Sequence, residues 1–122
     1  MISEVVDPPA VFDAKAVSCL TGDPRDGAFA VVFVTRYRSL LPERVRRISA
    51  ALAAAEVGDA LDAVRSLKAA SITVGTHELA EIAGRLERLL RGGDLARAAV
   101  VQAALPRAAH RADRALAAYL AS

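Results

Sequence analysis

Residues 28–52 read AFAVVFVTRYRSLLPERVRRISAAL. Whether this stretch is strand or helix decides the fold. The apolar run Ala28–Val34 fits a buried strand when read alone, because so short a run carries no period of its own. The residues after it supply one. Phe29, Phe33, Tyr37, Leu40 and Leu41 recur at helical spacing, and Val45, Ile48 and Leu52 continue the stripe. Pro42 falls inside the pattern, so the reading is one long helix to about Glu56, kinked at the proline; two helices meeting there is the alternative.

The composition agrees with a helical reading. Of 122 residues, 54% are hydrophobic and 28 are alanine, while aromatics make up 4% and Trp is absent. Alanine is the best helix former and a poor strand former, and it lets helices pack closely. The length fits one domain with one core. Sixteen basic residues against fourteen acidic ones give a formal charge of +2, too small to argue for nucleic acid. The single cysteine, Cys19, excludes an internal disulfide, fits a reducing cytoplasm and reads as a small core residue. The start, MISEVVDPPA, has neither the basic residues nor the apolar core of a signal peptide. The run Ala28–Val34 is far short of the roughly 20 residues that span a bilayer. These features predict a soluble, cytoplasmic protein with no membrane partner.

Turn and cap signals divide the rest of the chain. Residues 1–11 form an irregular lead-in around Asp7-Pro8-Pro9, and residues 12–122 form the domain. Asp13 is placed to cap a short helix to about Leu20, with Phe12 and Val17 as a hydrophobic staple, and TGDPRDG breaks the chain after it. Gly58 and Asp59 end the long helix and cap the next, which runs from about Ala60 to Thr73. Gly75 stops that helix, and Thr76 caps a helix to about Arg91 with Leu79, Ile82, Leu86, Leu89 and Leu90 as its stripe. Gly92-Gly93-Asp94 leads into a last helix, about Leu95 to Leu120, kinked at Pro106, with Leu105, Ala109, Ala112, Leu116 and Tyr119 inward. Short connections make neighbours antiparallel. The predicted fold is all-α: an antiparallel up-and-down four-helix bundle with a short additional N-terminal helix, burying Val64, Leu67, Leu79, Ile82, Leu86 and Leu116.

The helix in residues 60–76, ALDAVRSLKAASITVGT, holds the functional signal. At about 100° per residue, Ala60, Val64, Leu67 and Ser71 share the inner face. Leu61, Asp62, Arg65, Ala69 and Ile72 then lie on an outer flank, with Lys68 at its core edge. Small and apolar residues around Arg65 suit a docking surface, and an ordinary bundle flank has the same pattern. The stretch resembles the histidine-containing phosphotransfer (HPt) domain of bacterial phosphorelays, whose third helix carries a pattern close to A-H-x-L-K-G-S-S-x-x-x-G. Val64 takes the place of the small residue, and Arg65 that of the phosphorylated histidine. Leu67-Lys68 matches the Leu-Lys pair, Ala69 stands at the Gly, Ala70 and Ser71 at the Ser positions, and Gly75 at the last Gly. FDAKAVSCL, FVTRYRSLLPERVRRISAAL and ELAEIAGRLERLLRGGDL resemble the family's first, second and fourth helices, so the resemblance covers nearly the whole chain.

The resemblance implies a partner, a receiver domain or a histidine kinase, and a phosphoryl-carrying imidazole that this sequence lacks. A neutral imidazole nitrogen is nucleophilic near pH 7. A guanidinium stays protonated and has no available lone pair. Arg65 therefore cannot carry phosphate, while the docking flank survives with one added methyl at Ala69. Ser66 lacks a paired base, and Lys68 is an ammonium ion at neutral pH. The two histidines, His77 beyond Gly75 and His110 in the last helix, read as surface or capping residues. Arg44, Arg46 and Arg47, and Arg85, Arg88 and Arg91, read as solvated faces, or else as a basic surface for an acidic partner. There is no carboxylate pair, metal-ligand cluster or Gly-rich phosphate loop, so no enzyme, metal or cofactor is expected. The leading expectation is a non-phosphorylated signalling module docking through Leu61, Asp62, Arg65, Lys68, Ala69 and Ile72. The alternatives are a phosphocarrier using His77 or His110, and a structural or homodimerising bundle.

Overall fold

The computed structural model describes residues 8–21 and 27–122. Six helices occur among them: α1 (Ala14–Thr21), α2 (Gly27–Ala53), α3 (Val57–Val74), α4 (His77–Arg91), α5 (Leu95–Gln102) and α6 (Leu105–Ala121). No strand occurs among the described residues, and the deciding stretch is helical throughout, continuing through Pro42. The proline brings no N–H, which leaves the carbonyl of Arg38 without its usual partner one turn on. Residues 1–7 of the lead-in and most of the TGDPRDG break lie outside the described residues.

Helix α2 packs on α3, α3 on α4, α4 on α5 and α6, and α6 returns to α2. The direction follows from paired positions. Arg38 of α2 meets Asp113 of α6, while Ser49 near the other end of α2 lies beside Gln102 and Pro106. Val34, Ile48, Val64, Leu67, Leu79, Leu86, Leu105 and Leu116 are sealed from solvent at the centre. Each fully buried leucine or valine contributes about 1.5–3 kcal/mol by leaving water. Ile82 is partly covered, not buried as expected.

Local departures have physical causes. The last helix is two helices, not one kinked helix. Pro106 sits in the first turn of α6, where its missing N–H costs nothing, whereas mid-helix its ring would clash with the carbonyl of Gln102. The reversal before α3 falls at Ala54-Ala55, with Ala55 at φ 55°, not at Gly58, which lies inside the first turn of α3. Glu56 occupies the cap position expected for Asp59, and Asp59 joins the first turn, where its charge favours the helix dipole. Phe29 and Leu40 face solvent, and Ala30 and Val34 take the inner positions of α2. Cys19 is exposed, not a core residue.

The turn at Gly75 positions everything after it. Thr76 N–H donates to Ser71 O at 2.9 Å and Gly75 N–H to Ile72 O at 3.2 Å, closing α3 with a left-handed residue at φ 87°. The segment before α1 clips onto this turn: Asp13 N–H donates to Gly75 O and Glu78 N–H to Ala10 O, both at 2.9 Å. Asp13 also caps α1, accepting from Lys15 N–H at 3.0 Å. A Cβ on Gly75 would stand 2.4 Å from Asp13 O and 2.8 Å from Ala16 Cβ. Gly75→Ala therefore loses about 1–2 kcal/mol to the left-handed backbone and more to the displacement of α1. Urea denaturation should show a total loss above about 2 kcal/mol. A loss no greater than that of an exposed Gly→Ala in a helix would refute the close approach.

Candidate functional site

Helix α3 sets the site by what it buries. Ala60, Val64, Leu67 and Ser71 are fully covered, so the opposite side of the same helix must face outward. The six residues expected on the flank do lie together there. Asp62, Arg65, Ala69 and Ile72 are exposed, and Leu61 and Lys68 are half-buried where α3 meets α4. Ile72 leaves 51% of its surface in solvent, unusual for an isoleucine beside a core helix.

A residue of α4 organises the charges. The carboxylate of Glu87 accepts from Arg65 Nε at 3.1 Å and Lys68 Nζ at 3.0 Å, and Arg91 Nη2 lies 3.1 Å away. The Glu87 side chain is only 11% exposed, whereas its three cationic partners are about half exposed. Hydrogen bonds from Lys68 and Arg65 hold the Glu87 carboxyl below its ordinary value, against the opposing effect of burial. Helical spacing puts Arg65 on the flank and says nothing of Glu87. One local signal for it exists: a carboxylate at the edge of the α4 stripe, four residues before Arg91. Its bonds to Arg65 and Lys68 cross from one helix to another.

Beyond Ser66, round the helix from the flank, Ala70 of α3 meets α2. Phe33, Arg36, Tyr37, Leu40 and Arg44 of α2 surround a shallow hollow of about 120 Å³ with Ala70 of α3. Phe29 and Phe33 pair their rings at 6.3 Å at the outer end of α2, and Phe29 and Val32 are more than half exposed. Arg85 and Arg88 lie on the far side of α4, beside Arg97 and Val100 of α5. Arg46 pairs with Glu43.

Neither histidine joins this site. His77 starts α4 at the end of the bundle, its Nε2 3.6 Å from Asp13 Oδ2. The nine residue steps from Arg65 to Val74 at the end of α3 already span about 13 Å. His110 lies on α6 at a groove of about 500 Å³ against α2, with Arg38, Arg46 and Asp113. Among the described residues, no three His, Cys, Asp or Glu side chains gather as a metal site.

A family model described as "Hpt domain" matches residues 32–118, well over half of the chain and all of α3 and α4. The chain belongs to the Hpt domain family. Hpt domains are phosphotransfer signalling modules of two-component systems, and they interact with histidine kinases and response regulators. No curated protein and no solved structure is matched. Among the described residues of this Hpt domain, no helix is long and apolar enough to cross a membrane.

The lowered Glu87 carboxyl gives a pH signature. The unfolded chain binds a proton to this group near 4.5 and the folded one only at lower pH. Its stabilisation is therefore complete above that value and is lost as pH falls towards the folded one. Glu87→Gln should lower Tm at pH 7, and the gap to wild type should close as pH falls below about 4.5. A gap that stays constant to pH 3 would mean that the three cations do not hold the carboxylate.

Proposed function

We propose that this Hpt domain, taken as residues 12–122, docks a response-regulator receiver domain or a histidine kinase through the outer flank of α3 and carries no phosphate itself. One observation carries the reading. Arg65, at the position that the family's third-helix pattern gives to the phosphorylated histidine, is an ion-paired guanidinium beside an exposed apolar surface. A protonated guanidinium has no lone pair to attack phosphorus. Leu61, Ala69 and Ile72, extended by Phe33 and Leu40 of α2, offer the apolar centre that an interface needs, and Asp62, Arg65 and Lys68 offer its charged rim. Receiver domains present acidic residues around their phosphorylation site, so the positive side of the flank matches them in charge. Such a module would block or scaffold transfer between other proteins, working in the cytoplasm where phosphorelays operate.

Phosphotransfer and binding assays against the kinases and receivers of the source genome test this reading. Wild type should bind one of them and take up no label from its phosphorylated form. Label that appears in wild type and disappears in His77→Ala or His110→Ala would establish a phosphocarrier instead. Ala69→Glu places a carboxylate opposite the receiver's acidic site and should weaken the complex by up to several kcal/mol without unfolding α3. Unchanged binding would move the interface elsewhere. Arg65→His with Ala69→Gly should gain acid-labile phosphate, because Glu87 keeps Lys68 and Arg91 as partners while the imidazole stands in solvent. A stable homodimer with no receiver or kinase bound would leave a structural bundle.

A further inference from the structure

Two cations of the flank, Arg65 and Lys68, and Arg91 of α4 converge on one anion. Arg65 Nε, Lys68 Nζ and Arg91 Nη2 all lie 3.0–3.1 Å from the Glu87 carboxylate. One negative charge against three positive ones leaves the cluster at +2. The arrangement is layered, with the carboxylate beneath and the cations outside it, open to solvent. Each guanidinium presents five N–H donors, and the contacts to Glu87 engage one nitrogen of each arginine. The next outward neighbour of Arg65 along the helix is Ala69, which leaves room for an incoming group.

We propose that Arg65, Lys68 and Arg91 form a receptor for a phosphoryl group, with Glu87 as a built-in anion that holds the three cations together until that group arrives. A phosphoryl dianion matches the residual charge of the cluster, and its tetrahedral oxygens reach three donors at once, which a second carboxylate does not. The domain then reads a phosphoryl group instead of carrying one. No bond to phosphorus forms or breaks. The source of the group, a phosphorylated receiver, rests on the docking reading; the anion chemistry does not.

The test has two arms. Inorganic phosphate at pH 7.5, with ionic strength held by chloride, is titrated into labelled protein and followed by NMR. Saturable shifts should centre on the Arg65 and Arg91 side chains and the Ala69 amide. They should saturate at several-fold lower phosphate in Glu87→Gln, where the internal competitor is gone, and be lost in Lys68→Gln, which keeps Glu87. Shifts no larger than those with chloride, or spread equally to Arg85 and Arg97, would overturn the proposal. In the second arm a receiver domain that binds the protein is compared with and without beryllofluoride, which imitates its phosphoryl group. Beryllofluoride should tighten binding about tenfold, and Lys68→Gln should abolish the gain. Equal binding of both forms sinks the phosphoryl receptor and leaves the docking reading intact. Saturation by phosphate with neither receiver nor kinase bound keeps the receptor, assigns it to a free phosphate compound and refutes the docking reading.

Discussion

The hydroxyl of Tyr37 fixes how α3 is turned. It lies 2.9 Å from Ser71 Oγ and 2.8 Å from Thr76 Oγ1, in a region closed to water, and Thr76 Oγ1 donates in turn to Ser71 O at 3.3 Å. Burial pushes the phenol above its ordinary value, so it stays neutral and keeps its proton for the network. An unpaired buried hydroxyl costs about 1–3 kcal/mol. Turning α3 by one residue would strand these groups and swing Arg65 by about 100° towards the core or the α2 seam. Thr76 links the same network to the Gly75 turn and the start of α4. The outward flank is a consequence of this inward contact.

Once α3 is set, α4 must bring Glu87 beside it. The inner stripe of α4, Leu79, Ala83, Leu86 and Leu90, leaves Glu87 on the shoulder facing α3. There the chain buries most of a carboxylate, which is tolerable only because three cations meet it. The same contacts bring together three positive charges that would otherwise repel. Glu87 both stabilises the α3–α4 seam and sets the net charge of the flank.

Much of this was legible in the chain. The period running from Phe33 through Leu52 identifies α2 as a helix despite its strand-like start, and Gly75 and Gly92-Gly93-Asp94 mark real turns, with Asp94 capping α5 through Arg97 N–H. The helical stripe of α2 begins one position later than its spacing from Phe29 suggests. Ala30, Val34, Tyr37, Leu41, Val45 and Ile48 keep the buried spacing, and Phe29 and Leu40 each lie one residue, about 100°, round from it. Gly58 looked like a stop, but Ala55 takes the left-handed conformation instead. The outer flank of α3 followed from helical spacing alone. Its electrostatics did not, because a residue on one helix answering two on another leaves no periodic trace. The cap at Thr76 was placed correctly in the sequence, but its side chain serves Tyr37, not the helix N-terminus.

The central claim is that the outer flank of α3 is a docking face built around an ion-paired arginine. The most direct measurement is a chemical-shift map of the labelled domain on adding an unlabelled cognate receiver. The account predicts perturbations along Leu61, Asp62, Arg65, Lys68, Ala69 and Ile72, reaching Leu40 of α2 and the side chain of Arg91. Perturbations centred on His77 or His110, with the α3 flank silent, would contradict it.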